Sequence, residues 1–177
     1  TGSAGFIGSN FVHYVLNTDR TVNIISLDKL TYAGNVKNLE NLPNKTQHTF
    51  IQGDICDHEL VDKILREHQI NIIVNFAAES HVDNSITGPK AFIQTNIVGT
   101  FTLLEAARTY WLEEKQLKAD QCRFHHISTD EVYGELGPDD PAFTDTSQYK
   151  PSSPYSASKA SSDHLVRAYV RTYKLPA

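Results

Sequence analysis

The feature that most constrains the fold of this chain is a hydrophobic period that switches repeatedly between two and about 3.6. Short β-branched runs at Val22–Leu27 (VNIISL), Thr49–Gln52, Ile70–Phe76 (INIIVNF) and Phe124–Ser128 read as strands. Several are almost continuously apolar, as a strand must be when both faces of its sheet are covered. Between and around them, amphipathic stretches predict helices over Ser9–Asn17, His58–Gln69, Pro89–Tyr110 and Pro154–Tyr173. Proline opens the last of these in the first turn, where its missing N–H has no partner to lose. Such alternation belongs to βαβ units and predicts an α/β fold built on a doubly wound parallel sheet. The longest irregular stretch, Gly134–Ser153, carries Gly137-Pro138, Pro141 and Pro151 and reads as a surface loop near the site.

Composition narrows the function classes. At 177 residues, 40% hydrophobic and 21% charged, the chain has the size and balance of one water-soluble domain, and its apolar runs are too short to cross a bilayer. A net charge of −5 without a local basic patch gives no grip on nucleic-acid phosphates. Small-molecule chemistry is the expectation. Cys56 and Cys122 stand apart without a CxxC pairing, which argues against a disulfide framework and suits a reducing cytoplasm. The eight histidines form no HExxH, and adjacent His125 and His126 in a strand face opposite ways, so no metal site is expected. Methionine is absent, the chain opens on Thr1, and no signal-peptide pattern precedes it. Residues 1–177 are therefore expected to be one domain cut at both ends, with a first strand before Thr1 and a C-terminal substrate-binding region beyond Ala177.

Gly2, Gly5 and Gly8 stand at GxxGxxG spacing directly before a helical pattern. Glycines so placed allow a tight turn, close approach of a pyrophosphate and close helix packing, with the helix N-terminus facing the anion. By itself the motif also suits a plain glycine-rich turn. Asp28 ends the next strand 20 residues after Gly8, where a carboxylate accepts from the ribose hydroxyls of a dinucleotide and repels a 2′-phosphate, favouring NAD over NADP. Gly53-Asp54-Ile55 follows the next strand and suits either an adenine edge or an ordinary strand-ending turn.

Tyr155 and Lys159 are four apart on one face of a predicted helix. A tyrosine becomes a base near neutral pH only when a neighbouring cation stabilises its phenolate, a task for Lys159; a surface Tyr–Lys pair is the alternative. Ser128 and Thr129 end the preceding strand at the carboxyl edge of the sheet, where doubly wound folds bind ligands. Thr129 is placed to orient a substrate hydroxyl toward Tyr155.

GxxGxxG, the strand-ending Asp28, NFAAES with Ala77, Ala78 and Ser80, and the YxxxK pair together resemble the extended short-chain dehydrogenase/reductase family acting on nucleotide sugars, across essentially the whole chain. Within that family, STDEVYG at Ser128–Gly134, DKLTYAGN at Asp28–Asn35 and AAESHVD at Ala77–Asp83 are similar to the dTDP-glucose 4,6-dehydratases. The resemblance implies a Rossmann-type NAD-binding domain and a lyase reaction giving dTDP-4-keto-6-deoxyglucose: C4 oxidation with NAD, loss of water across C5–C6, and hydride return to C6. It makes Glu131 the base at C5 and Asp130 the acid at the C6 hydroxyl. Two carboxyls divide those tasks if one is kept protonated, as crowding in a dry pocket would do. The alternative, a solvated acidic turn, fits the flanking match less well. Carried over residue by residue, Phe6 and Ile7 fall at the pyrophosphate, and Lys29, Leu30 and Thr31 extend the ribose contact. Asp54 and Ile55 fall at the adenine, while Phe76, Ala77, Ala78, Ser80 and Thr95 line the central cofactor together with Tyr155 and Lys159. Ser80 and Thr129 also meet the sugar; His81 and Asn96 are neighbours. The family's habit further implies a cytoplasmic homodimer joined by Pro89–Tyr110 and Pro154–Tyr173 in a four-helix contact. A nucleotide-sugar 4-epimerase or decarboxylase and a non-catalytic NAD-binding regulator remain as alternatives.

Overall fold

Strands and helices follow one another in the alternating order of the sequence pattern in a computed structural model that describes residues 1–177. Strand β1 is Ile24–Asp28, β2 His48–Gln52, β3 Ile72–Asn75 and β4 Arg123–His126; helix α1 is Phe6–Thr18 and α2 His58–Glu67. A short α3, Val82–Thr87, precedes a long rod over residues 89–114 made of α4 (Pro89–Phe92), a π-helical stretch Ile93–Gly99, α5 (Thr100–Ala107) and a second π-helical stretch Arg108–Glu114. The last helix, α6, runs over Pro154–Tyr173, as the sequence predicts.

Local chemistry explains the boundaries. Ser153 accepts from the Ser156 amide and Ser156 Oγ accepts from the Ser153 amide, a capping box that fixes where α6 starts. Asp57 caps α2 through the Leu60 amide at 3.1 Å. The rod outruns its predicted end at Tyr110, because Arg108 bonds both Glu105 and Glu113 and holds the extra turn. Six residues of α3 are too few to give a readable period, which is why it was not expected. At β4 the expected end, Ser128, lies two residues past the observed one; Ile127 still donates to Asn75 O at 3.3 Å before the chain turns away.

The parallel pairing is as expected. β1 pairs with β2 (Ile24 opposite His48) and β3 with β4 (Ile72 opposite Arg123), each a separate two-stranded ribbon. Between β1 and β3 stand only Thr1 and Gly2: Thr1 N donates to Val74 O at 2.9 Å, Phe76 N to Thr1 O at 3.3 Å, and Gly2 N to Leu27 O at 3.0 Å.

The main core lies where α2, the rod and α6 meet β3 and β4. Trp111 is fully buried there, its indole N–H donating to Ile70 O at 2.7 Å, with Leu104, Phe124 and Leu175 around it. A smaller cluster of Val12, Leu16, Leu39 and Leu42 seats α1. Both clusters leave the carboxyl ends of all four strands on one edge, and that edge carries the polar residues singled out by the sequence.

Candidate active site

The glycine turn is shaped by contacts that only hydrogen permits. Gly2 has φ +63°, and a Cβ there would stand 2.5 Å from the Ala77 nitrogen; one on Gly8 would stand 2.2 Å from Gly2 O. These two positions pack the turn against the strand end and α1 against the turn. At Gly5 the nearest atom to an added Cβ is Gly2 O at 3.4 Å, so that side of the turn is open. Gly5 is also the N-cap of α1 and supplies no side-chain acceptor for its first amides. Phe6 and Ile7, next in the chain, are 83% and 63% exposed, so the side chains turn outward and leave the backbone facing the opening. The cradle fits a pyrophosphate: donors, a positive helix end, and room where a side chain would be.

Asp28 ends β1 beside this turn. Its Oδ2 accepts from Ala4 N and its Oδ1 from Leu30 N, both at 2.8 Å, so the carboxylate ties the glycine turn to the next loop and keeps further lone pairs for hydroxyl donors. Lys29 reaches Asp54 at 2.6 Å, and Asp54 also accepts from the Cys56 amide. Burial pushes the Asp54 carboxyl up, but the Lys29 ammonium and that amide outweigh it and hold it below the usual carboxylate range. Thr31 is exposed beside this pair. Ile55 goes elsewhere: its side chain is 4% exposed inside the main core under Gly99, leaving only its backbone for an adenine.

Phe76, Ala77 and Ala78 lead away from β3, half-buried, with the Ala77 amide on Thr1 Oγ1 at 3.3 Å. Asn96, 1% exposed, holds the next step: its side chain accepts from Glu79 N at 2.8 Å and donates to Glu79 O at 2.9 Å and to Ser158 Oγ at 2.8 Å. It thereby fixes the 76–80 loop against α6. Ser80 is exposed, and Thr95 is half-buried on the π-helical stretch next to Asn96.

Beyond the end of β4, Thr129 caps the 3-10 turn Asp130–Tyr133 by accepting from Glu131 N at 3.3 Å. Asp130 is exposed and Glu131 half-buried, so the two do not share a dry pocket; adjacent residues of a 3-10 turn point about 120° apart. Tyr155 lies in the first turn of α6, 9% exposed, with its ring edge on Phe92 at 6.2 Å. Burial pushes its phenol above the ordinary value; the Thr129 hydroxyl draws it back, and the Glu131 and Asp130 carboxylates push it up further. Lys159, 4% exposed, sends Nζ to Ile127 O at 2.5 Å, and burial lowers its ammonium.

A model of the family described as GDP-mannose 4,6 dehydratase matches residues 1–177. The chain belongs to that family. This dehydratase-family chain is 54% identical over 184 residues to a dTDP-glucose 4,6-dehydratase of Shigella flexneri and 56% over 176 residues to one of Xanthomonas campestris, with 99% of the chain covered in each case. It spans about half the length of these relatives, 51% and 49%. Among solved structures, a dTDP-glucose 4,6-dehydratase of Streptomyces venezuelae with NAD bound superposes at TM-score 0.86 with 45% identity, over 98% of this chain and 51% of that one. A UDP-glucose 4-epimerase of Thermus thermophilus, also with NAD, gives 0.82 at 31% identity, over 98% and 50%. The Rossmann-type doubly wound fold is thus shared with both.

Two features escaped the sequence reading. Asn96 was named only as a neighbour, yet it grips both backbone groups of Glu79. Asp163 was not named at all, although it lies one turn beyond Lys159 and gathers several polar side chains. The YxxxKxxxD spacing, which continues one helix face, was the available signal.

Proposed function

We propose that this chain carries the cofactor-binding and catalytic part of a dTDP-glucose 4,6-dehydratase acting in the cytoplasm as a homodimer. The observation that carries the reading is the adjacent acid pair Asp130-Glu131 on a turn that is capped by Thr129 and packed against α6, the helix that bears a buried Tyr155 with Lys159 one helical turn further on. The open glycine cradle and Asp28 fit NAD. When bound, NAD takes the C4 hydride of the sugar and gives it back at C6.

Tyr155 takes the proton of the C4 hydroxyl, with Thr129 fixing that hydroxyl and the Lys159 charge favouring the phenolate. The C4 ketone makes C5–H acidic, because the carbanion delocalises into it. Glu131, half-buried, removes that proton. The C6 hydroxyl leaves as water once Asp130 protonates it, and a proton then returns to C5. Exposed Ile93, Phe101, Val170 and Tyr173 on the rod and α6 support an apolar helix pair as the dimer contact.

The test uses the full gene product and dTDP-glucose deuterated at C4. A 4-keto-6-deoxy product with the label at C6 is expected. An epimer, a pentose, or a product unlabelled at C6 would refute the assignment.

A further inference from the structure

Three consecutive residues at the end of β4 are each held by a residue of α6. The His126 side chain, 7% exposed, has Nε2 3.1 Å from Ser162 Oγ and 3.4 Å from Asp163 Oδ1; Ile127 O accepts from Lys159 Nζ at 2.5 Å; Ser128 Oγ donates to Asp163 Oδ2 at 2.6 Å. The same Asp163 oxygen accepts from Tyr149 OH at 2.9 Å, and Tyr149 packs edge-on against Tyr133 at 5.3 Å. Lys150 N closes the base of the loop on Val132 O at 3.0 Å. Asp163 is therefore where β4, the Asp130–Tyr133 turn and the 134–153 loop all meet the helix that bears Tyr155.

The connection extends to the cofactor side. Asn75 Nδ2 lies 3.3 Å from His126 Nδ1, which makes that nitrogen the acceptor and leaves the ring proton on Nε2, toward Asp163. Asn75 Oδ1 accepts from Thr1 Oγ1 at 2.6 Å, and Thr1 Oγ1 in turn accepts from Ala77 N. A buried carboxylate is retained at a cost unless its lone pairs are used, and here they are. Hydroxyl and imidazole donors hold the Asp163 carboxyl below the ordinary range despite its burial.

We infer that Asp163 is a positioning residue for the proposed dehydration: it anchors Ser128 and Tyr149 so that Thr129, Asp130 and Glu131 are presented to a substrate in register with Tyr155. It touches neither the cofactor cradle nor the face of Tyr155, so its loss is expected to slow chemistry more than binding. The inference rests on the functional reading above.

In the full gene product, Asp163→Ala is expected to lower kcat about 30-fold, in the range that small misplacements of reacting groups produce, with KM for dTDP-glucose and Kd for NAD changed less than threefold. Asp163→Asn restores a hydroxyl acceptor and is expected to recover kcat to within about fivefold of wild type. Ser128→Ala removes one arm alone and serves if the alanine variant does not fold; kcat is expected to fall about fivefold at unchanged Tm. Wild-type levels of kcat in Asp163→Ala or Ser128→Ala, an Asn variant no better than Ala, or a KM that rises in step with the loss of kcat would each overturn the assignment. Amide hydrogen exchange on the NAD complex is followed in parallel. Faster exchange over residues 127–133 and 146–150 is expected in Asp163→Ala, or over 127–133 in Ser128→Ala should that variant not fold, and unchanged exchange there counts against the anchor. Should the wild-type protein show no turnover, the dehydratase reading fails while the exchange comparison still decides the role of Asp163.

Discussion

Lys159 illustrates how residue-level chemistry depends on burial. Its ammonium is removed from water, which lowers its pKa, and the Asp163 carboxylate on the next turn of α6 pulls it back up. Tyr155 has the opposite problem: burial disfavours the phenolate that its proposed role requires. A cation beside a phenol lowers the pH at which such a base forms. The proposed reaction requires the deprotonated phenol, so on that proposal kcat/KM rises with pH through its titration, and removing the Lys159 cation moves that rise to higher pH. For Lys159→Met in the full gene product, the acid limb of the kcat/KM profile is expected to shift upward by about one unit or more, with the maximal rate reduced about 10²-fold. A limb that stays in place would remove Lys159 from the titration of the base. Sequence spacing made Tyr155 and Lys159 legible, because a helix fixes their common face. It could not show that Lys159 spends its hydrogen bond on Ile127 O, a residue 32 positions away.

At the scale of elements, the glycine turn separates two uses of a missing side chain. Gly8 is glycine for the fold: a methyl group there meets Gly2 O at 2.2 Å and forces α1 off the turn. Gly8→Ala is expected to cost about 1–3 kcal/mol in urea unfolding, as overpacking does, and to weaken NAD along with it. Gly5, on the proposed function, is glycine for the ligand. Its added Cβ meets nothing closer than 3.4 Å, so Gly5→Ala is expected to stay within about 0.5 kcal/mol of wild-type stability while losing tenfold or more in NAD affinity by calorimetry, since about 1.4 kcal/mol of lost contact is a factor of ten. Equal losses of stability in the two variants would show that the turn does not divide in this way. The fingerprint in the sequence marks all three glycines alike; only the packing distinguishes them. The same holds for the strand ends. β-branched runs showed where strands lie, but β4 stops at His126 because side chains of α6 take over its last groups.

The whole molecule is held by one main cluster under the carboxyl edge and a smaller one under α1. Trp111 joins the rod to β3 through both its buried ring and its bond to Ile70 O. Trp111→Ala is expected to destabilise by about 3–5 kcal/mol, read from the urea midpoint, since an unfilled cavity and an unpaired carbonyl are left together. A loss below about 1 kcal/mol would place the dominant core elsewhere. Period changes along the chain, a glycine fingerprint and a few dense strings were enough to determine the α/β class, the parallel pairing and the span of α6, because each is written in residues close together in sequence. The tertiary structure alone decided which of those residues meet. It turned Ile55 into the core, left Asp130 exposed beside a half-buried Glu131, and brought His126, Ser128, Tyr149 and Asp163 to one point. Contacts across 14 to 36 positions depend on how helices pack against strands, and no local pattern records that geometry.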